Sequence, residues 1–339
     1  MTGRLRLPCR ASGKLAQGCG KMLARVVLTR ACRWRGTGGA ASRPKQAQVT
    51  AAPKLAPAHF SSFINLNVFT LTGLYLYPVK SLGGYAVPTA EATPRGLRHD
   101  RRWLLVDGRN RFLTQRQHPA MAFLALAPAH NGFLIRHRQR PDLLPLYIPF
   151  EATPEQTLFV TIWDDLVFAW RGPAVADAWL SDALGREVRL VYMSDMVRRP
   201  VEPALNPENQ LVSFADGYPY LLLGEAALAD LSRRVGTTLD LRRFRPNLVF
   251  GGGPAYADDT WAEFRIGNLP FRAVRGCGRC VLTTIDPDTA QKSPFAEPLR
   301  TLATYRTEDG FALFGQNVTG PASGTLRVGD AVSVLSQRC

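Results

Sequence analysis

Trp103-Leu104-Leu105-Val106-Asp107-Gly108-Arg109-Asn110-Arg111-Phe112-Leu113-Thr114 holds two short apolar runs separated by a turn. Asp-Gly accepts positive φ and joins antiparallel neighbours, so a hairpin is expected over 103–106 and 112–114. The same grammar continues on both sides. Runs at 74–77, 122–126 and 133–135 are each of strand length, and Asn131-Gly132 supplies a second turn dipeptide. Further on, 247–250, 264–266, 271–274, 281–285 and 326–335 read as strands, the last with a turn at Gly329-Asp330. Helical periodicity is confined to 173–184, which ends before Gly185, and to 225–235, where Leu228, Leu231 and Val235 share one face ahead of Gly236. Residues 196–209, rich in Pro, Asn and Glu, read as a linker or lid. The class this implies is α+β, predominantly antiparallel β, with two β-rich domains at 69–190 and 191–337 behind an extension at 1–68.

That extension carries most of the charge. The chain of 339 residues has 42 basic and 27 acidic residues, yet twelve of the basic ones and no acid fall within 1–60, and the first carboxylate is Glu91. The remainder holds 30 basic against 27 acidic residues, so the basic average gives no reason to expect a nucleic-acid partner. An acid-free, Arg- and Ala-rich leader has the composition of a mitochondrial or plastid transit peptide, and equally of a solvated extension. The compartment is then cytoplasmic, or mitochondrial or plastid if the leader is an import signal. No run approaches the ~18 apolar residues that a membrane-spanning helix requires. At 46% apolar, with 17 Phe, 9 Tyr and 6 Trp, the rest can bury a large core. Cysteines are too sparse for a disulfide framework, which points to a reducing compartment.

The sharpest chemical feature is Arg275-Gly276-Cys277-Gly278-Arg279-Cys280. Flanking cations favour thiolate and glycines admit close backbone approach, so the segment suits a nucleophile or a soft-metal ligand, or simply holds two structural thiols. A lone C-x-x-C with no His after His137 does not complete a zinc site. Tyr77-Pro78-Val79-Lys80-Ser81-Leu82-Gly83-Gly84 offers an ammonium, a hydroxyl and unshielded N–H groups to a phosphate, although its glycines follow the Lys, unlike a Walker loop. A third group is basic among apolar residues: Arg101 and Arg102, Arg116, and Arg245 within Phe244-Arg245-Pro246-Asn247, the last a candidate anion clamp. Asp216, before Gly217, is either an acid at a domain junction or an Asx turn, whereas Asp258, Asp259, Asp286 and Asp288 read as solvated turn residues.

Six segments in this order resemble the MOSC family, in its two-domain form similar to the mitochondrial amidoxime reducing component and its bacterial relatives. They are Leu76-Tyr77-Pro78-Val79-Lys80-Ser81, Asp100-Arg101-Arg102-Trp103, Phe244-Arg245-Pro246-Asn247, Arg279-Cys280-Val281-Leu282-Thr283-Thr284-Ile285-Asp286-Pro287-Asp288-Thr289, Phe314-Gly315-Gln316-Asn317 and Val328-Gly329-Asp330. The resemblance covers about 70–337. It implies an N-terminal barrel-like domain, a C-terminal MOSC β-barrel and a molybdenum cofactor of molybdopterin type between them. Cys280 would be the thiolate on the metal. Lys80, Ser81, Arg101, Arg245 and Asn247 would hold the pterin and its phosphate, the backbone around Gly217, Gly278 and Arg279 would complete the cradle, and Asp216 would donate a proton. Relatives often have Ser where this chain has Gly217 and Gly278, which puts hydroxyl roles there in doubt. The family also carries an association with pyridoxal phosphate. The implied activity is reduction of N-hydroxylated compounds, namely amidoximes, hydroxylamines and N-hydroxylated bases. With no appended ferredoxin module read in the chain, electrons would come from a separate flavoprotein reductase or cytochrome b5-type protein. The alternatives are a non-catalytic carrier of the cofactor or of sulfur, and a phosphate-binding barrel with an incidental C-x-x-C.

Overall fold

A computed structural model describes residues 69–153, 155–202 and 210–338. The leader at 1–68 and half of the expected linker, 203–209, lie outside the described residues. Those described belong to one compact unit.

Seven strands close a barrel. In spatial order they are Tyr220–Gly224, Leu248–Gly251, Phe69–Leu76, Ala331–Gln337, Trp261–Ile266, Leu269–Gly278 and Phe311–Thr319, and the last pairs back onto the first. Only Tyr220–Gly224 and Leu248–Gly251 run parallel, the one crossover being made by helix Glu225–Val235. Inward residues such as Leu71, Leu74, Leu222, Phe264 and Val318 are fully buried and form a single apolar core. Closure leaves no free sheet edge around the ring. Phe69–Leu76, the first described strand, is a stave of this barrel between two strands from the far end of the chain.

The residues from 103 to 192 build a second core. Trp103–Val106, Arg189–Tyr192, Asp165–Arg171 and Thr157–Ile162 form a four-stranded antiparallel sheet, and Leu124–Ala129, Gly132–His137 and Leu146–Pro149 form a three-stranded one. Helix Ala174–Leu184 packs against them through Ala176 and Leu180 and stops at Gly185 in the left-handed conformation, φ 62°. The expected α+β, predominantly antiparallel architecture is what the chain adopts, with short helices in the minority.

Local expectations differ in four places. Residues 112–114 do not form a strand: Phe112 makes a single bridge to Val106, and Thr114 then turns the chain by accepting from the N–H groups of Gln117 and His118. In the second hairpin the turn residues are His130 and Asn131, while Gly132 opens the strand because a Cβ there would lie 2.3 Å from the Ile148 carbonyl oxygen. The 326–335 run divides at Gly329, φ 99°, into Gly324–Arg327, which pairs with Thr89–Thr93, and Ala331–Gln337 in the barrel. Most consequential, 281–285 is no strand. Val281–Thr284 is a 3-10 turn, because the Thr283 and Thr284 hydroxyls donate to the carbonyls of Cys280 and Val281 at 3.0 and 2.7 Å. Local hydroxyl-to-backbone bonds offered the chain an alternative to the ladder that β-branched composition suggested.

Candidate functional site

Where the second core meets the lip of the barrel, a solvent-open cavity draws its walls from stretches far apart in the chain, among them 80–81, 215–221, 244–247 and 277–282. The residues to which the family resemblance gave a site role all line it: Lys80, Ser81, Arg101, Asp216, Gly217, Arg245, Asn247, Gly278, Arg279 and Cys280. Arg116, Cys277 and Asn317 also reach it. Five cations and one carboxylate therefore face a common space, a site built for an anion.

Backbone stitching sets the positions. The Lys80 N–H donates to the Trp103 carbonyl at 2.9 Å, the Arg101 N–H to Tyr77 at 2.8 Å, and the Phe214 N–H to Arg101 at 2.9 Å. Ser81, Arg101 and Arg245 all have left-handed backbone, φ 65°, 48° and 57°. Such conformations in residues with side chains are costly and gather at ligand sites. Asn247 clamps the corner: its amide nitrogen donates to the Tyr75 carbonyl at 3.2 Å, and its Oδ1 accepts from Arg101 Nη1 at 2.9 Å and from the Leu221 N–H at 3.4 Å.

Arg101 and Arg245 lie on the ring of Tyr77, each guanidinium carbon 4.4 Å from the centroid. Burial pushes the Tyr77 phenol up to about 12 against the pull of Arg245 and Arg101, so it remains neutral and its π-face remains available to both cations. Arg245 donates to the Leu82 carbonyl through Nη1 at 2.5 Å, yet its buried Nη2 has no partner. Arg279 donates to the Phe244 carbonyl at 2.8 Å and to Cys277 Sγ at 3.1 Å, and its buried Nε is also unpartnered. Buried donors without acceptors are expensive, and both belong to cavity residues. A ligand with acceptor oxygens would satisfy them.

Lys80 is buried and ion-paired with Asp216, whose carboxylate stands in the open part of the cavity. Burial, aided by Arg199 and Arg116, lowers the Lys80 ammonium more than Asp216 raises it. Asp216 moves down: burial opposes ionisation, but the Lys80 charge and hydrogen bond, with Arg116 and Arg101, outweigh it and hold the carboxyl below the usual carboxylate range. At neutral pH the Asp216 carboxylate is therefore charged and accepts from Lys80 Nζ. The loop carrying Asp216 is held by Arg199, whose Nη1 donates to the Ser213 and Ala215 carbonyls at 2.8 and 2.7 Å and whose Nε donates to Asp165 at 2.8 Å.

The two thiols stand in different settings. Cys277 lies in strand Leu269–Gly278 and accepts from Arg279, while Cys280 follows the strand and accepts from Arg116 Nη1 at 3.8 Å. Among the described residues no group of three or more His, Cys, Asp or Glu converges as a metal site. A metal on Cys280 would need ligands brought by another molecule. Gly217 has open space where a side chain would project, whereas a Cβ on Gly278 would press on Phe311 at 3.2 Å.

Some residues behave otherwise than their sequence context implied. Arg102 turns away to the Met193 carbonyl at 2.9 Å. Asp258 is not solvated; it is 2% exposed, and burial followed by the neighbouring Asp259 charge pushes its carboxyl up to about 7. Arg199 carries no sequence signal of a site role, and Tyr77 only its place in the Tyr77-Pro78-Val79-Lys80 motif.

The fold and site define a cation-lined, thiol-bearing cavity on a closed β-barrel. Residues 68–187 match the MOSC N-terminal beta barrel domain and residues 209–333 match the MOSC domain. The chain belongs to the MOSC family. It is 35% identical over 288 residues to mitochondrial amidoxime-reducing component 1 of Homo sapiens, covering 80% of this chain and 84% of that protein. It is 34% identical over 283 residues to mitochondrial amidoxime reducing component 2 of the same organism, covering 78% and 83%. Against molybdenum cofactor sulfurase of Oryza sativa subsp. japonica it is 31% identical over 263 residues, 72% of this chain but 32% of that longer protein.

Proposed function

We propose that this chain is a molybdenum-dependent reductase of N-hydroxylated compounds, with Cys280 as the metal ligand and Asp216 beside it. The observation that carries the reading is the Cys280 thiol at a cavity whose buried arginines keep unpartnered donors, Arg245 Nη2 and Arg279 Nε. These residues fit a molybdopterin. A soft thiolate suits molybdenum held also by dithiolene sulfur, and the anionic tail supplies the acceptors that the two guanidinium groups lack. Arg101, Arg245, Arg279, Asn247 and Ser81 would hold the pterin and phosphate, with Gly217 and Gly278 contributing backbone N–H groups.

When bound, the group supplies two-electron reduction, so that an N–OH, two electrons and two protons become N–H and water. The chain's own part is binding, orientation and proton supply. Lys80 Nζ holds a proton against Asp216, and Asp216, open to the cavity, is the acceptor that can orient a substrate N–H or OH. The proton-donor role expected of Asp216 therefore falls to the Lys80–Asp216 pair. Lys80 is the one lysine among the described residues lining the cavity, and its commitment to Asp216 gives pyridoxal phosphate no support as the ligand.

The names of the relatives support amidoximes and related N-hydroxylated substrates and a mitochondrial setting. The electrons would come from a separate flavoprotein reductase or cytochrome b5-type donor. No helix among the described residues is long and apolar enough to cross a membrane. A domain division near 190 also remains our proposal.

The test is metal and pterin content of protein purified from a host making the cofactor, with benzamidoxime reduction by an artificial donor. Turnover in the wild type and its loss in Cys280→Ser are expected. Cofactor bound without turnover would favour a carrier, and absence of both metal and pterin would favour a plain anion-binding barrel. Full activity in Cys280→Ser would refute the assigned ligand.

A further inference from the structure

Arg116 is the cavity cation whose place the proposed function leaves unexplained. Its Nη1 lies 3.8 Å from Cys280 Sγ. Its guanidinium carbon is 4.4 Å from the centroid of the Trp163 ring. Among the described residues no carboxylate forms an ion pair with it, in contrast to Lys80 and Arg101, which pair with Asp216 and Asp100. Its close contacts are therefore a sulfur and a π-face, while its charge also acts at longer range on Asp216.

Trp163 stands in the turn between strands Thr157–Ile162 and Asp165–Arg171 with φ 55°. A bulky residue rarely adopts left-handed backbone, and such strain persists where the side chain is needed. The indole is 42% exposed, so burial does not account for its place in the turn. It is braced instead by Phe112, tilted at 57° with ring centroids 5.0 Å apart. Strained turn, braced indole and stacked guanidinium form one chain of contacts ending at the Cys280 sulfur.

We infer that Arg116, clamped by Trp163, is a positioning residue for the Cys280 sulfur and makes a metal bound there easier to reduce. The inference rests on the reading of Cys280 as the molybdenum ligand. A cation and a hydrogen bond at a ligating sulfur withdraw charge from it, which favours the more reduced, more negative state of the site. Stacking on Trp163 restricts the guanidinium to one plane, so the donor is in place before any ligand arrives.

The experiment is a redox titration of the loaded protein followed by EPR, with molybdenum and pterin content measured on the same samples. Wild type, Arg116→Gln, Arg116→Lys, Trp163→Ala and Trp163→Phe are compared. Arg116→Gln should retain cofactor within about twofold of wild type and shift the midpoint potential to more negative values. Arg116→Lys, which keeps charge but loses the planar stack, should shift it less. Trp163→Ala should shift it in the same direction as Arg116→Gln, and Trp163→Phe, which keeps an aromatic face, should stay near wild type. An unchanged potential in Arg116→Gln overturns the inference while leaving the proposed function intact. If that variant loads no cofactor, unchanged potentials in Arg116→Lys and Trp163→Ala overturn it equally. A wild type that carries neither metal nor pterin removes the proposed function and this inference together.

Discussion

Two cysteines three positions apart have unequal tasks because different arginines reach them. Cys277 accepts from Arg279, and serine can accept the same bond, so Cys277→Ser should keep most of its benzamidoxime reduction while Cys280→Ser loses it. Equal loss in both would point to a dithiol. Asp258 permits a sharper test by pH. Its carboxyl is raised to about 7 in the folded protein, first by burial and then by Asp259, from an ordinary value of 3.8. Between those values the folded state holds a proton that the unfolded chain has released, so stability falls as pH rises through that window and the full penalty applies above about 7. At ~1.4 kcal/mol per pH unit this amounts to a few kcal/mol. Asp258→Asn should therefore raise Tm at pH 8 and change it little at pH 4. A Tm gain of equal size at both would exclude the buried charge as the cause.

At the scale of elements, the loops do the positioning. Gly84 follows the turn that carries Lys80 and Ser81, and a Cβ there would lie 2.3 Å from the Tyr77 ring and 2.7 Å from the Leu76 carbonyl oxygen. Gly84→Ala should cost about 1–3 kcal/mol by chemical denaturation and displace the ring on which Arg101 and Arg245 lie. Arg199 caps two carbonyls of the loop before Asp216 from a buried position. Its removal orphans both, so Arg199→Ala should cost about 2–4 kcal/mol and speed amide exchange in 213–217. Protection unchanged there would show that the loop is held by other contacts. The Thr283 and Thr284 hydroxyls belong to the same logic, since they set the 3-10 turn that carries the chain away from Cys280.

At the scale of the whole molecule, the barrel closes only with Phe69–Leu76, inserted between Leu248–Gly251 and Ala331–Gln337. A fragment covering 191–339 would lack that strand and expose two long edges. We expect it not to fold, as read by circular dichroism and one-dimensional NMR, and a cooperative melt of that fragment would contradict the topology. The cavity inherits the same dependence, because Asn247 and Arg245 meet Arg101 and Tyr77 only when both halves of the chain are packed.

The β-rich class, both longer helices and the chemical character of the cavity were legible in sequence because each rests on a local signal. Gly185 and Gly236 are backbone requirements written into single residues, and the Lys80-Ser81 and Arg279-Cys280 motifs carry their donors within a few positions. Tertiary structure decided the rest. Phe69–Leu76 became a stave of the distant barrel because strand pairing is chosen by which edges remain open, a property of the assembled sheet. Val281–Thr284 turned away from the ladder once threonine hydroxyls took its carbonyls. Asp258 lost its water to packing that no neighbour in sequence announced, and Arg116 found Cys280 at a sequence separation of 164. Charge and turn preference act over a few residues, whereas burial and long-range contact exist only after the chain has closed on itself.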